Sequence, residues 1–593
     1  MDRNIIVALG LAILILVGWQ ALVIEPQIDA YEEAQREAGV TVSETRPEAL
    51  TEGLGAPAAV GTLSRAEALR RAPGRVPIET PTMTGSLNLR GATLDDIALK
   101  NYREEPDENA PMVTVLSPSA TTDATFIRNG IVVDGKSDEA AVWSAPDGAR
   151  LTPQSPVTLT RSDGKLRHEL KISVDDQFMF TTEHTVINES DDSAALLPYG
   201  FALQRGLPQD LTNFMVLFEG PLGVVNETLH ARKYKKLDKG AKNAIEEQGT
   251  GGWAGITDKY WLASAIPPQD QRFELKLERV MQARLPTYRA SYQLEGFFLE
   301  PGQRATVNSY MFAGAKVVET LSQYENELGI SDFDKAVDWG MFFFLTRPIH
   351  WGLHGLAVIV GNYGVAILLL TLIIKAALFP LANASYRSMA GMRKVAPEMK
   401  RIQERYGDDK MKQQQELMAL YKKHKINPAA GCLPILMQMP IFFALYKVLF
   451  TTIETRHEAF LYIPDLSSSD PTTIFNLFGL LPYDPTALPV FGSFLGLGIL
   501  PLMMGGAMWV QTKLNPPPPD PVQAKVFSFL PLIFMFIFAP FAAGLVLYWF
   551  WNTALSVVQQ YFIMKRAGAD VDLLGNIRQS FGKKAGSNEK PAE

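Results

Sequence analysis

From Val526 to Met564 the chain runs thirty-nine residues without a charged side chain. As one helix that run would be about 58 Å long, roughly twice the hydrocarbon thickness of a bilayer. Neither a soluble core nor a membrane accommodates such a rod. Ala539-Pro540-Phe541-Ala542-Ala543-Gly544 interrupts it near its middle, where proline removes an amide and glycine loosens the backbone. The run therefore reads as two membrane spans, residues 526–541 and 543–564, joined as a hairpin. Lys525 at one end and Lys565-Arg566 at the other place both ends on one membrane face.

Three more apolar stretches of spanning length precede the hairpin, at 363–381, 429–450 and 490–511. A sixth, Ile5–Ile24, follows Met-Asp-Arg-Asn and stops at Glu25-Pro26. A secretory signal has an apolar core of about 7–15 residues and then a small-residue cleavage site. This run is longer and no such site follows, so residues 1–25 are expected to stay as a signal anchor. Lysine and arginine counts set the orientation. Residues 384–427 hold eleven of them, whereas Thr451–Pro489 holds only Arg456 among five acidic side chains. The basic segment is expected in the cytoplasm and the acidic one outside, with 512–525 and the tail 565–593 cytoplasmic. Six spans with both termini inside satisfy every loop, and the long segment between the first two spans is exported.

That exported segment changes texture twice. Residues 26–77, Thr41–Pro77 above all, are rich in Ala, Pro, Glu, Thr and Gly without periodicity and read as a linker. From 78 to 325 short alternating runs dominate: Val157–Arg161, Arg167–Val174, Phe178–Ile187, Phe273–Met281 and Ala305–Phe312. Asn129-Gly130, Asp134-Gly135, Asp163-Gly164 and Pro301-Gly302 supply turn signals between strands. A large all-β sandwich is the expected fold. The chain carries 56 Lys and Arg against 63 Asp and Glu, net −7, which excludes a strongly basic nucleic-acid binder. Its single cysteine, Cys432, excludes an intramolecular disulfide.

Two motifs in this half mislead. Gly130-Ile-Val-Val-Asp-Gly135-Lys136-Ser137 matches the phosphate-loop pattern letter for letter. Such a loop needs a helix behind it, yet Ile131, Val132 and Val133 read as strand and no amphipathic helix follows before Pro146. No nucleotide site is expected. His350 and His354 lie four apart and can face one metal on a helix. The region 326–362 reads better as an amphipathic helix lying in the interface, with Arg347, Trp351 and both histidines at headgroup level. No metal, cofactor or catalytic residue is expected.

Polar side chains inside the spans are few. Thr371 and Lys375 share one helix face, Tyr548 and Asn552 share another beside Trp549, and Gln438 and Pro440 sit within the third span. Ionisable groups within a span usually face a bundle interior or a wet cavity. In the basic segment, Val395, Met399, Ile402 and Tyr406 form an apolar stripe, which Met411, Met418 and Tyr421 continue beyond Gly407-Asp408-Asp409. Two antiparallel helices meeting at that turn account for the pattern, and a methionine-rich stripe suits docking.

Asn383-Ala-Ser-Tyr386 to Met392-Arg393, Tyr406-Gly407-Asp408-Asp409-Lys410, Asn427-Pro-Ala-Ala-Gly-Cys432-Leu-Pro434 to Gln438-Met-Pro440, and Gly544-Leu-Val-Leu-Tyr548-Trp549 together resemble the YidC/Oxa/Alb family of membrane protein insertases, in its Gram-negative form. The resemblance is close over Trp339–Gly568. It implies a multi-pass α-helical membrane protein of the inner membrane with six transmembrane helices, whose five-helix core encloses a hydrophilic groove, and a periplasmic β-supersandwich. It implies substrate-groove roles for Thr371, Lys375, Gln438, Pro440, Tyr548, Trp549 and Asn552. Tyr386, Met399, Ile402, Asp408, Asp409 and Met418 fall in the implied cytoplasmic hairpin, 384–427. Implied partners are nascent membrane proteins, the Sec translocon with its accessory subunits, the ribosome and membrane lipids. The groove cation of many members is arginine, and here Lys375 keeps the charge without the bidentate fork. Rival functions are a solute transporter or channel, which calls for a path open at both faces and usually internal repeats, and a membrane-anchored sugar-processing enzyme, which calls for a carboxylate and histidine constellation in the β-domain.

Overall fold

The computed structural model describes residues 63–72, 74–208, 211, 217–282, 285–407, 409–424, 426, 433–478, 480–481, 483, 485–487, 492–515 and 521–569. The expected signal anchor, most of the linker, Asp408, Cys432 and nearly all of the C-terminal tail lie outside the described residues.

The ordered β-domain begins before Ile78. Ser64 caps a short helix α1, Arg65–Arg71, by accepting the Glu67 amide at 3.3 Å. Arg65 then pairs with Asp96, and Arg75 of the first strand with Asp95. These buried carboxylates anchor a segment whose own composition reads as linker. One sheet runs Arg75–Glu79, Met83–Asn88, Thr93–Arg103, Thr125–Val133, Ala194–Arg205, Leu285–Leu294, Arg272–Gln282, Ile245–Thr250, with Met112–Leu116 and Phe297–Leu299 paired at its sides. The second runs Thr228–Ala231, Gly220–Val225, Gly252–Thr257, Trp261–Ile266, Arg304–Ala315, Met179–Asn188, Leu166–Val174, Val157–Ser162. The pairings between strands of each sheet are antiparallel, and inward side chains alternate with outward ones, as along Leu166–Val174. Between the sheets Trp253, Phe312, Phe273 and Tyr292 are sealed into one core.

The phosphate-loop look-alike is strand and turn. Residues 130–133 lie inside Thr125–Val133, and Asp134 and Gly135 turn with φ of 47° and 75°. Asn129-Gly130 is not a turn. The Asn129 side-chain Nδ2 donates to Ser309 Oγ at 2.9 Å across the sandwich. A Cβ on Gly130 would lie 2.7 Å from the Asp138 carboxylate and 2.9 Å from the Tyr199 hydroxyl, so this glycine serves close packing.

Helices follow: α2 Val318–Leu328, α3 Phe343–Val360, α4 Tyr363–Ala377, α5 Phe379–Lys394, α6 Ala396–Arg405, α7 Lys410–Lys423, α8 Leu433–Thr451, α9 Ile499–Leu514, α10 Pro521–Phe538 and α11 Ala543–Arg566. Among the described residues no single helix is long and apolar enough to cross a membrane; the pair α4–α5, bent by 68°, reaches that length and apolarity only together. Pro380, in the first turn of α5, cannot donate to the carbonyl one turn back, which sets the bend. α11 has the length, 24 residues, but polar side chains dilute it. The stretch expected to span at 490–511 differs most. Its helix starts only at Ile499, because Thr472 Oγ1 accepts the Ile499 amide at 3.0 Å and Asp470 accepts the Leu500 amide at 2.8 Å. Gly492 lies in a separate one-turn helix, Gly492–Leu495, and Gly496 falls between it and α9. Ile367, Leu445, Met504, Leu545 and Val546 build a second core among the helices.

Candidate functional site

The most polar of the long helices is also the best buried. Along α11, Tyr548, Asn552, Ser556 and Gln560 recur every fourth residue and are 1, 9, 5 and 0% exposed. A four-residue step keeps them on one helix face, as a polar stripe inside an apolar bundle. Tyr548 and Asn552 stand out in the sequence by their neighbours; Ser556 and Gln560 do not, although the same step from Asn552 reaches both.

Other helices bring partners to this stripe. Lys375 Nζ of α4 donates to Ser556 Oγ at 2.6 Å, while the Ser556 hydroxyl donates to the Asn552 carbonyl at 2.7 Å. Thr371, one turn before Lys375, is buried and donates to the Ile367 carbonyl at 2.6 Å. Gln438 of α8 donates to the Tyr548 hydroxyl, and Pro440 sits half-buried one half-turn further on. Gln560 Nε2 donates to Asn515 Oδ1, just past α9, at 3.0 Å. Trp549 faces elsewhere. It meets Phe442 edge-on at 4.6 Å and Phe538 at 5.1 Å, in an aromatic wall between α8 and α10. One residue along a helix turns a side chain by about 100°, which separates Trp549 from the stripe that Tyr548 heads.

One end of the stripe is closed by the acidic loop after α8. Ala543 and Gly544 donate their amides to Ser468 and Leu466 carbonyls at 2.6 and 2.9 Å. Asp465 holds that loop by accepting the His457 and Ser467 amides at 3.0 and 2.8 Å. Outward, Phe443, Met439, Phe529 and Leu532 are exposed on α8 and α10, an apolar surface that is costly in water.

At the opposite end lies the helix pair α6–α7. Val395, Met399 and Leu420 are buried between them, flanked by Ile402, Leu417 and Tyr421. Asp409 caps α7 by accepting the Lys412 amide at 3.0 Å. Met418 does not continue the buried stripe: it is 52% exposed, and Met411 is 74% exposed. Leu417, next to Met418, and Leu420, two residues beyond it, take the inner positions. Tyr386 packs with Met389 against Ile563 of α11.

The histidines of α3 also depart from expectation. Trp351 is 72% exposed, but His350 is 2% exposed, buried beneath α2 and the turn after α8. Its ring meets Trp339 edge-on at 5.5 Å. Inside the β-domain a second buried group comprises Arg128, Asp138, Arg161, His168 and His184. Arg128 pairs with Asp138 at 2.6 Å, and His168 Nδ1 lies 3.2 Å from His184 Nε2. Burial pushes His168 down to about 4, with Arg161 adding to the effect, and His184 down to about 3.

A family model described as YidC periplasmic domain matches residues 75–352, and one described as 60Kd inner membrane protein matches residues 355–570. The chain is 46% identical over 604 residues to the membrane protein insertase YidC of Beijerinckia indica subsp. indica, covering 98% of this chain and 99% of that one. It is 46% identical over 583 residues to the membrane protein insertase YidC of Maricaulis maris, covering 96% and 97%. A crystal structure of an active YidC insertase with its first transmembrane domain resolved aligns at 17% identity and a TM-score of 0.34, over 83% of this chain and 93% of that one.

Proposed function

This chain belongs to the YidC family of inner-membrane protein insertases, and from that premise we propose that Lys375 and the α11 stripe hold the hydrophilic segment of a substrate while it crosses. Insertion of nascent membrane proteins is not an enzymatic turnover, and the chain uses no catalytic residue for it. The physical obstacle is the polar backbone and side chains of the translocating segment, each of which costs several kcal/mol if left unsatisfied in hydrocarbon.

The observation that carries the proposal is the bond from Lys375 Nζ to Ser556 Oγ, on a stripe of hydroxyls and amides buried among apolar helices. A charge at mid-membrane costs about 2.5–3.5 kcal/mol on insertion scales. A substrate carboxylate at 4 Å repays about 1–4 kcal/mol of that, for effective dielectrics between 80 and 20. The stripe and Lys375 thus form a groove that shortens the dry path and favours acidic segments. With the loop held by Asp465 and Asp470 closing one end, the groove opens towards the basic hairpin, and the substrate's apolar helix leaves sideways along the exposed Phe and Met side chains of α8 and α10.

This assignment carries the topology with it: six spans, both termini cytoplasmic, residues 384–427 as the cytoplasmic hairpin, and α3 in the interface with Phe344, Trp351 and Val358 towards lipid. The hairpin's eleven basic residues and outward Met411 and Met418 suit the ribosome, anionic lipid and the Sec translocon as partners. Photocrosslinking from positions 552, 556 and 560 to the exported tail of a stalled substrate tests the groove. Adducts from these positions and none from 549 are expected; the reverse pattern contradicts the assignment.

A further inference from the structure

Where the β-domain rests on the helices, three elements aim imidazoles and carboxylates at one spot. Glu319 comes from the first turn of α2, His350 and His354 from α3, and Glu454 from the turn that follows α8. Glu319 Oε1 lies 3.8 Å from His350 Nε2 and 3.7 Å from His354 Nε2. The nearest ligand atoms of Glu319, His350 and Glu454 all fall within 4.8 Å of one another.

Hydrogen bonding leaves this cluster unfinished. Among the described residues, His350 Nε2 and both carboxyl oxygens of Glu454 are closed off from solvent without a hydrogen-bond partner of standard geometry. At 3.8 Å, His350 and Glu319 are too far apart for a hydrogen bond. Burial pushes the Glu454 carboxyl above its usual range, and His350 with the nearby amides of Glu454 and Val318 only partly offsets it. His354 is oriented from behind, its Nδ1 2.8 Å from the Tyr363 hydroxyl. An Nδ1–H donated to that hydroxyl leaves the Nε2 lone pair facing Glu319, the arrangement that outer partners impose on metal-binding histidines.

We propose that Glu319, His350, His354 and Glu454 bind one divalent transition-metal ion of the zinc class, which fastens the β-domain to the membrane helices. Two neutral imidazoles and two carboxylates neutralise a dication and fill four tetrahedral positions. Mixed nitrogen and oxygen donors favour zinc over magnesium or calcium, which prefer oxygen alone. With bonds of about 2.0–2.1 Å, tetrahedral ligand atoms sit about 3.3 Å apart, so the 3.7 and 3.8 Å separations need to close by about half an ångström, while Glu454, and His354, which falls outside the 4.8 Å group, have to move in by more. The ion would join α2, α3 and the turn after α8, beside which Ile453 already packs into the β-domain core.

The test is zinc binding by the full-length, untagged protein in lipid nanodiscs, stripped with chelator and reloaded. Metal content after desalting is expected to be one zinc per chain, and Co²⁺ in its place should show visible d–d absorption. Glu319→Ala changes a half-exposed side chain and should leave folding intact while lowering zinc affinity at least tenfold. His354→Ala should do the same, and Glu454→Gln should abolish retention. Slower hydrogen exchange of α2 on zinc addition, in wild type only, would establish the fastening. Zinc retention below stoichiometry in wild type overturns the site. So does stoichiometric retention that none of the three variants weakens. Both readouts are independent of insertion activity.

Discussion

The β-domain and the helical bundle both bury polar side chains, and they treat them in opposite ways. In the β-domain charges are matched and sealed: Arg128 with Asp138, Arg75 with Asp95, Arg289 with Glu278. Arg128 and Asp138 are the most enclosed of these, with side chains 2 and 3% exposed. Along the α11 stripe the buried polar groups are hydroxyls and amides in a row, and the half-buried Lys375 meets them through the Ser556 hydroxyl. Among the described residues, Oε1 of Gln560, and of Gln559 beside it, accepts no hydrogen bond. The first arrangement fixes a shape. The second leaves hydrogen-bonding capacity for a segment that arrives and departs, which is what insertion requires.

The contrast breaks most visibly under deletion. Removing residues 396–423 should abolish insertion while the remaining helices stay assembled, because the hairpin offers exposed methionines and basic charge that a connector does not need. Removing 92–290 should leave insertion largely intact, since the α11 stripe and its partners lie outside that range. Insertion of a test protein into vesicles checks both; normal insertion with a Gly-Ser replacement of the hairpin would refute the first claim.

Next in size is Asp138→Ala. It leaves Arg128, 2% exposed, as an unpaired buried charge, and should destabilise the β-domain by about 3–5 kcal/mol. Limited proteolysis should then cut the β-domain first while the bundle remains protected.

A smaller effect comes from acid. His168 and His184 are neutral when folded, and their ring nitrogens meet at 3.2 Å, where one ring's N–H donates to the other ring's lone pair. Their folded values, about 4 and about 3, lie below the ordinary value near 6.5, so the unfolded chain binds protons first. Their contribution is complete above about pH 6.5 and is lost as pH falls towards 4 and then 3. Asp138 opposes this loss and Arg161 adds to it. Thermal melts of the β-domain between pH 7 and 4 should show a falling Tm, and His184→Gln should flatten the slope.

What could be read beforehand follows the physics of each half. Strands such as Val157–Ser162 and Leu166–Val174 announce themselves because one sheet face is buried and a two-residue alternation results. Asn129-Gly130 misled because local turn chemistry was outweighed by packing with Asp138, Tyr199 and Ser309, distant in sequence. The helix start at Ile499 depends on Asp470 and Thr472, and α1 on Asp96; caps and anchors supplied from elsewhere in the chain leave no mark beside the element they set. In the site, Lys375, Tyr548 and Asn552 were legible as polar exceptions in apolar runs. Ser556 and Gln560 needed the four-residue step followed to its end. Met418 and His350 were misplaced because periodicity says which residues share a face, not which face turns inward once a second element covers it.

The central claim is that Lys375 acts on the substrate and not merely as a cation held near the membrane surface. Insertion should be measured for matched substrates that differ only in the charge of the exported tail, in wild type, Lys375→Arg and Lys375→Glu, with the amount of each variant in the membrane equalised. Lys375→Arg should behave as wild type. Lys375→Glu should lower insertion of acidic-tailed substrates about tenfold, the factor that 1.4 kcal/mol confers within the 1–4 kcal/mol range, and spare neutral-tailed ones. Equal efficiency for acidic and neutral tails in Lys375→Glu would contradict the groove.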